Sequence, residues 1–176
     1  MVGRSKNSRQ RAKNLCLTAK NFMELKLKNL TISSPAFSAL ETIPQRYTSD
    51  GENVSPTLQW DKVPPETQQL VLICHDPDAP IPFGFTHWSV YNIPPDVKAI
   101  AEGEGSKYTE GANSAGSIGY TGPAPPSGHG VHHYYFWLYA LNQALVFKAG
   151  LHREDILKAI ADHVIAQARL VGVYER

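Results

Sequence analysis

Short apolar runs separated by proline and glycine are the feature that most limits what this chain can fold into. The 176 residues include thirteen prolines and thirteen glycines, and either residue inside a helix weakens or breaks it. The apolar runs between them have the length of strands rather than of long helices. The sequence therefore predicts a mainly β protein, and its length suits one domain with a single core.

Three segments indicate individual strands. Leu70–Cys74 is continuously apolar, which is typical of a central strand covered on both faces. Thr86–Ile93 alternates, with His87 and Tyr91 among the residues on one face. A first strand with one solvent-facing side is expected from the spacing of Leu25, Leu27, Leu30 and Ile32.

One amphipathic helix is predicted near the carboxyl end, over about Arg153–Leu170. Its apolar residues follow helical spacing and are Leu157, Ile160, Ala161, Val164 and Ala168. Glu154 and Asp155 would lie in the first turn, where the helix dipole favours acidic side chains. Gly172 would end the helix. We expect this helix to pack on one face of a sheet.

The first 22 residues differ in charge from the rest of the chain. They contain six basic residues, no acidic residue and no apolar stretch of the kind found in secretory signals. We expect residues 1–22 to be a basic, disordered tail or an extension upstream of a start at Met23, with a transit peptide as the alternative. Residues 23–176 would then form the single domain.

The remainder of the chain carries eleven basic and sixteen acidic residues, a formal charge near −5. Such a balance disfavours a nucleic-acid-binding domain. No run approaches the roughly 18 apolar residues that cross a bilayer as a helix, so no transmembrane segment is expected. The two cysteines, Cys16 and Cys74, lie in unrelated contexts. We expect Cys74 to be a buried free thiol and the protein to be cytoplasmic, where thiols stay reduced.

Two stretches combine a proline-rich loop with a strand that opens on histidine. Gly119–Asn142 has a loop rich in glycine and proline and then an aromatic strand. Because His132 and Tyr134 are two residues apart on that strand, both side chains point to one face, where both can donate hydrogen bonds to one oxyanion. The loop Asp76–Pro80 and the strand that opens on His87 have the same build. We expect the two stretches to meet at one small polar pocket.

Several separated blocks, in this order, resemble the phosphatidylethanolamine-binding protein family, in its bacterial Raf-kinase-inhibitor-like branch. The resemblance covers residues 23–176. Its blocks are Ile43–Trp60, Asp76–Pro80 with Thr86–Trp88, Gly111–Pro126, Val131–Tyr134 and Ala159–Tyr174. It implies a large antiparallel sheet, a smaller second sheet, and a carboxyl-terminal helix beside a small anion-binding cavity.

The resemblance also implies which residues contact the ligand. The matching positions are Asp76, His87, Pro123, Pro125, Pro126, His132 and Tyr134. Asp76 would orient one of the histidines, and protonated histidines would lose affinity for the anion as the pH rises through about 6.5. The chain departs from the family at His133, where the family has arginine, so a permanent charge becomes titratable.

The expected function is therefore non-enzymatic binding of a phosphate-like anion or a phospholipid head group, without a cofactor. The resemblance also implies that the protein modulates or inhibits a kinase or protease partner. It further implies that the protein forms a homodimer. Two alternatives remain. One is a hydrolase that uses Asp76 and the histidines, and the other is a protein-interaction module whose pocket is a relic.

Sequence patterns argue against a serine-hydrolase site and against a metal site. The Gly-x-Ser-x-Gly motif of many serine hydrolases is absent, and neither Ser117 nor Ser127 has a paired base by sequence. A metal site would need residues such as Asp76, His87, His129, His132 and His133 to cluster. Since no Cys-x-x-Cys or His-Glu-x-x-His spacing arranges such ligands in advance, no metal is expected.

Overall fold

The computed structural model describes residues 29–176, which form two antiparallel sheets. The small sheet has the order β1-β2-β5 and contains β1 (Thr31–Ser33), β2 (Leu58–Asp61) and β5 (Ala99–Ile100). The large sheet has the order β6-β4-β3-β7-β8 and contains β3 (Gln69–Asp76), β4 (Phe85–Ile93), β6 (Thr109–Glu110), β7 (His132–Leu141) and β8 (Val164–Tyr174). One α-helix, α1 (Arg153–Ile160), precedes β8 within the described residues. The prediction of a mainly β fold with two sheets and a helix near the carboxyl end is confirmed.

Some sequence predictions lie outside the described residues. They are the tail at residues 1–22, the context of Cys16, and the positions of Leu25 and Leu27. Of the first predicted strand, the described part contains β1, in which Ile32 is buried between two exposed residues. In residues 29–176, no helix is both long and apolar enough to cross a bilayer.

Strand β3 is central because its continuous apolar run can be covered on both faces. Every residue of β3 is buried, and the strand pairs with β4 on one side and β7 on the other. Leu72 and Cys74 join the main core with Trp88 and Phe136. The alternate residues Val71 and Ile73 join a second cluster with Tyr91, Ile156 and Ile160. The prediction of a buried free Cys74 is confirmed.

The predicted helix is correct in its first half and wrong in its second half. α1 begins at Arg153 with Glu154 and Asp155 in its first turn, and it packs Ile156 and Ile160 on the sheet, but it ends at Ile160. From Val164 onward the chain is strand β8, which pairs with the whole length of β7. Tertiary pairing therefore overrode a local pattern that also fitted a helix.

Gly172 does not end a helix but lies inside β8 at a close contact. A Cβ atom there would lie 2.5 Å from Cγ1 of Ile43 and 2.8 Å from Cε2 of Phe37. Both neighbours are buried in the main core. Glycine at this position lets the amino-terminal loop pack directly against the strand.

The antiparallel topology brings two loops to one end of the large sheet. Asp76 at the end of β3 pairs with Phe85 at the start of β4, and His75 pairs with Tyr135 near the start of β7. Residues 77–84 and the loop that leads into β7 therefore lie together. This end of the sheet carries the candidate site.

Candidate functional site

A cavity of about 280 Å³ opens at this end of the large sheet. Its polar side chains are those of Ser49, Asp76, His87, Thr121, His132 and Tyr134. The remaining lining residues are Ala79, Pro80, Ile81, Phe85, Gly122, Ala124, Pro125 and Pro126. Three segments far apart in sequence thus form one pocket with a buried polar floor and a largely apolar rim.

Six of the seven residues proposed from the sequence line this cavity. They are Asp76, His87, Pro125, Pro126, His132 and Tyr134. The seventh, Pro123, is buried behind the wall, where its carbonyl accepts a hydrogen bond of 3.0 Å from the backbone N–H of Ser49. Pro123 therefore holds the loop in place rather than facing the cavity.

Asp76 and His132 form a buried hydrogen-bonded pair. Oδ2 of Asp76 lies 2.7 Å from Nδ1 of His132, and the two side chains are only 4% and 1% exposed. Oδ1 of Asp76 accepts the backbone N–H of Asp78 at 2.8 Å. Because an ionised carboxylate only accepts hydrogen bonds, Nδ1 of His132 carries the hydrogen. This geometry holds the ring in one orientation.

His129 contacts the other ring nitrogen of His132. Nδ1 of His129 lies 2.8 Å from Nε2 of His132, so both nitrogens of His132 are engaged. His129 is exposed and stands between Gly128 and Gly130, whose φ angles are +74° and +87°. From the sequence, His129 was expected only as a possible metal ligand. Its position three residues before His132, in a glycine-flanked turn, is the signal that could have indicated this contact.

His87 is buried beside Tyr134 and is held by a backbone carbonyl. Its Nδ1 lies 2.7 Å from the carbonyl oxygen of Thr121, and a carbonyl only accepts, so Nδ1 carries the hydrogen. Burial lowers the pKa of His87, although the bond to Thr121 opposes this. In the neutral ring Nε2 is an acceptor. His87 therefore becomes a second donor to an anion only at a pH below that expected for an ordinary histidine.

The Tyr134 hydroxyl is buried in the wall of the cavity without a hydrogen-bond partner in the part of the chain that the structure describes. The ring packs edge-on against His87 at a centroid distance of 5.1 Å. Burial, followed by the nearby Asp76 carboxylate, raises the pKa of Tyr134 far above that of an ordinary tyrosine. The group thus stays an O–H donor at any physiological pH. A buried donor that bonds to nothing is unfavourable, so it is suited to meet an acceptor atom of a ligand.

His133, the departure from the family pattern, lies outside the wall of the cavity. Its Nδ1 and its backbone N–H lie 2.8 Å and 2.9 Å from Oδ2 of Asp78. Both side chains are substantially exposed. The Asp78–His133 pair therefore ties the loop after β3 to the start of β7 without a side chain in the pocket.

His75 gives the protein an expected pH dependence of stability. The residue is buried beside Thr86, away from the cavity lining, and burial lowers its pKa from 6.5 to about 4. Below pH 6.5 His75 binds a proton in the unfolded chain but stays neutral in the folded protein. We therefore expect the free energy of unfolding to decrease as the pH is lowered from 6.5 to about 4. His87 has a shift of the same sign. Urea denaturation across this pH range measures the effect.

A His75→Gln variant should show a shallower decline with pH, since the contribution of His75 is gone. The exposed His152→Gln is the control and should keep the wild-type profile. A wild-type stability that is flat between pH 6.5 and 4 would contradict the prediction.

Neither pocket histidine contacts a serine hydroxyl in residues 29–176. Nδ1 of His87 bonds to a carbonyl, and His132 bonds to Asp76 and His129. Ser49, which lines the cavity, directs its hydroxyl to the carbonyl of Gly122 at 3.0 Å. Over the same residues, no three His, Cys, Asp or Glu side chains are grouped to hold a metal ion.

Comparison with known proteins decides the family. The sequence model described as phosphatidylethanolamine-binding protein matches residues 33–175. The chain belongs to this family. A relative named UPF0098 protein, from Methanothermobacter thermautotrophicus, is 46% identical over 155 residues, which cover 84% of this chain and 99% of that protein.

Solved structures of family members show the same fold. A putative phosphatidylethanolamine-binding protein homolog, CT736 from Chlamydia trachomatis, has a TM-score of 0.79 and 41% identity, covering 84% of this chain and 97% of its own. YBCL of Escherichia coli, described as a member of the mammalian family, also has a TM-score of 0.79, with 28% identity over 84% of this chain and 98% of its own. The resemblance inferred from the sequence blocks is confirmed.

Proposed function

We propose that this protein binds a phosphate-like anion, including the head group of a phospholipid, and does so without catalysis. The observation that carries the proposal is the buried hydroxyl of Tyr134 in the cavity wall, which has no hydrogen-bond partner among residues 29–176. A donor kept protonated and free of internal partners fits the oxygen of a bound anion. The name of the family, and of relatives such as the Chlamydia trachomatis homolog, supports the same ligand class.

The polar floor can contact such an anion through three side chains. Tyr134 donates to one oxygen of the anion, and His87 presents Nε2, which accepts from a protonated oxygen or an ammonium group and donates when it is itself protonated. The Asp76–His132 pair can add Nε2 of His132 when His129 moves aside. Because the rest of the wall is largely apolar, these hydrogen bonds form in a poorly solvated site, where they are stronger than in water.

The proposal also includes the protein partner, the oligomeric state and the cellular location that were expected from the sequence. They are a kinase or protease partner that the protein modulates or inhibits, a homodimer, and a cytoplasmic location. The buried free thiol of Cys74 is compatible with a reducing compartment. No arrangement of the pocket favours the hydrolase alternative, because each histidine bond described above goes to a group other than a nucleophile.

Tyr134→Phe is the variant that tests the proposal. We expect its affinity for inorganic phosphate and phosphoethanolamine to fall by about 10- to 100-fold, since a hydrogen bond to a charged group contributes about 1.5–3 kcal/mol. Stability should stay the same or rise by up to about 1 kcal/mol, because the lost hydroxyl bonds to no group within residues 29–176. Isothermal titration calorimetry and urea denaturation measure the two quantities.

Tyr139→Phe is the matched control, since Tyr139 lies on the same strand and packs with the second core cluster instead of the pocket. It should bind phosphate as the wild type does. The proposal fails if the wild type shows no saturable binding, or if Tyr134→Phe binds as tightly as the control. Ester hydrolysis that disappears in a His87→Ala variant would favour the hydrolase instead.

A further inference from the structure

We propose that the loop of residues 80–84 inserts into the surface of a lipid bilayer, so that the pocket takes its anion from a membrane phospholipid rather than from free solute. This inference rests on the proposed function, since it names the source of the ligand. It is carried by three observations at the mouth of the cavity. They are exposed apolar side chains, an unfavourable backbone at one of them, and the division of the cavity into a polar floor and an apolar rim.

Large apolar side chains are exposed in the two segments that form the pocket. Phe83 is 88% exposed, and Ile81 and Val131 are about half exposed. Ile81 itself lines the cavity, and Val131 directly precedes the lining residue His132. The strand pairing described above places both segments at one end of the large sheet. The exposed apolar surface thus belongs to the mouth of the pocket.

The backbone at Phe83 has a conformation that is unfavourable for phenylalanine. Its φ angle is +69°, in the left-handed region that disfavours a large L side chain and favours Gly, Asn or Asp. Phe83 therefore combines an unfavourable backbone with an aromatic ring in water. A polar residue would relieve both. Features of this kind concentrate where a loop meets a partner.

The cavity is polar at its floor and largely apolar at its rim, as a phospholipid is polar at its head group and apolar along its acyl chains. The buried lining residues Asp76, His87, His132 and Tyr134 form a polar floor. The exposed and half-buried lining is mainly alanine, proline, Ile81 and Phe85, with Ser49 and Thr121 as its polar members. In a phospholipid the charged phosphate is followed by acyl chains. A free phosphate ion is polar on all sides and would leave this rim without a partner.

Asp78, two residues before this loop, does not oppose insertion of the loop into a bilayer. Asp78 accepts hydrogen bonds from the ring and the backbone of His133, so its carboxylate would not face lipid head groups unpaired. We therefore assign the occupant of this surface as a bilayer.

Phe83→Asn tests the assignment, because asparagine tolerates the left-handed backbone and removes the ring without touching the cavity lining. The probes are vesicles of phosphatidylcholine with phosphatidylethanolamine, and separately soluble phosphoethanolamine. We expect vesicle binding by co-sedimentation to fall about tenfold in Phe83→Asn, while affinity for phosphoethanolamine changes less than about twofold. A Phe83→Trp variant should shift its fluorescence to shorter wavelength on addition of vesicles.

Val146→Asn is the matched control, since Val146 is 97% exposed and lies near Asn92, at the other end of β4. Its vesicle binding should match that of the wild type. Equal vesicle binding by Phe83→Asn and Val146→Asn would overturn the inference. The inference would also be wrong if the wild type bound phosphoethanolamine but not vesicles, or if Phe83 were needed only for binding a protein or phosphopeptide. Each of these results would leave the proposed function unaffected. Failure to bind any phosphate probe would overturn both.

Discussion

Replacing Asp76 with asparagine is expected to lower the free energy of unfolding by about 2–4 kcal/mol. The Asp76 carboxylate accepts two hydrogen bonds in a buried setting, from Nδ1 of His132 at 2.7 Å and from the backbone N–H of Asp78 at 2.8 Å. An amide has one acceptor oxygen and one NH₂ group, so one of those donors would face another donor. A change of tautomer at His132 could relieve the conflict only if His129 changed its tautomer as well, because the hydrogen between Nε2 of His132 and Nδ1 of His129 would then come from His132.

The same variant should weaken binding of inorganic phosphate, because His132 would lose the partner that orients its ring. Urea denaturation and calorimetric titration measure the two effects. Asp78→Asn is the matched control. Its carboxylate also bonds to a histidine, but at an exposed site, where such a pair contributes less than about 1 kcal/mol. If the two variants are equally stable, the buried pair does not have the importance assigned to it.

Gly122→Ala is expected to destabilise the protein by about 2–3 kcal/mol and to distort the pocket. A Cβ atom at residue 122 would lie 2.5 Å from the carbonyl oxygen of Tyr47 and 2.7 Å from Cα of Thr48. Both neighbours are backbone atoms, so no side chain can rotate away. The loop would have to move, and with it the carbonyl of Thr121 that holds His87. We therefore expect weaker phosphate binding together with the loss of stability.

Gly128→Ala separates this steric effect from the general cost of removing a glycine. Residue 128 has a φ angle of +74° but no heavy atom within 4 Å of an added Cβ, so only the backbone cost of about 1 kcal/mol applies. Urea denaturation compares the variants, and phosphate titration reports on the pocket. Equal destabilisation at both positions would contradict the role given to the close contact at Gly122.

The main features of the fold could be predicted because they depend on patterns of residues close together in the sequence. The apolar run at Leu70–Cys74 could only be covered on both faces, and the structure places it at the centre of the large sheet. The spacing of His132 and Tyr134 placed both on one face of a strand, and both line one cavity. The loop before His87 and the loop before His132 were expected to meet, and they do, because β3 ends where β4 and β7 begin.

The helix that was predicted too long shows the limit of local patterns. Beyond Ile160, the apolar residues fit a helical face, yet Ala166, Leu170 and Gly172 also alternate as one buried face of a strand. The choice depended on the edge of β7, which lies distant in sequence and offers a full ladder of hydrogen bonds. Propensity in this segment was weaker than that pairing.

The short apolar runs between prolines and glycines determined a β fold, and the two loop-and-strand stretches determined which residue types meet at the pocket. The tertiary structure alone decided their chemistry. It placed Pro123 behind the wall, engaged both nitrogens of His132, and left the Tyr134 hydroxyl without a partner in the described part of the chain. The physical reason is that a side chain's burial and hydrogen-bond partners come from segments far away in sequence. His132 finds Asp76 56 residues earlier, and no local pattern can state which nitrogen that carboxylate will take.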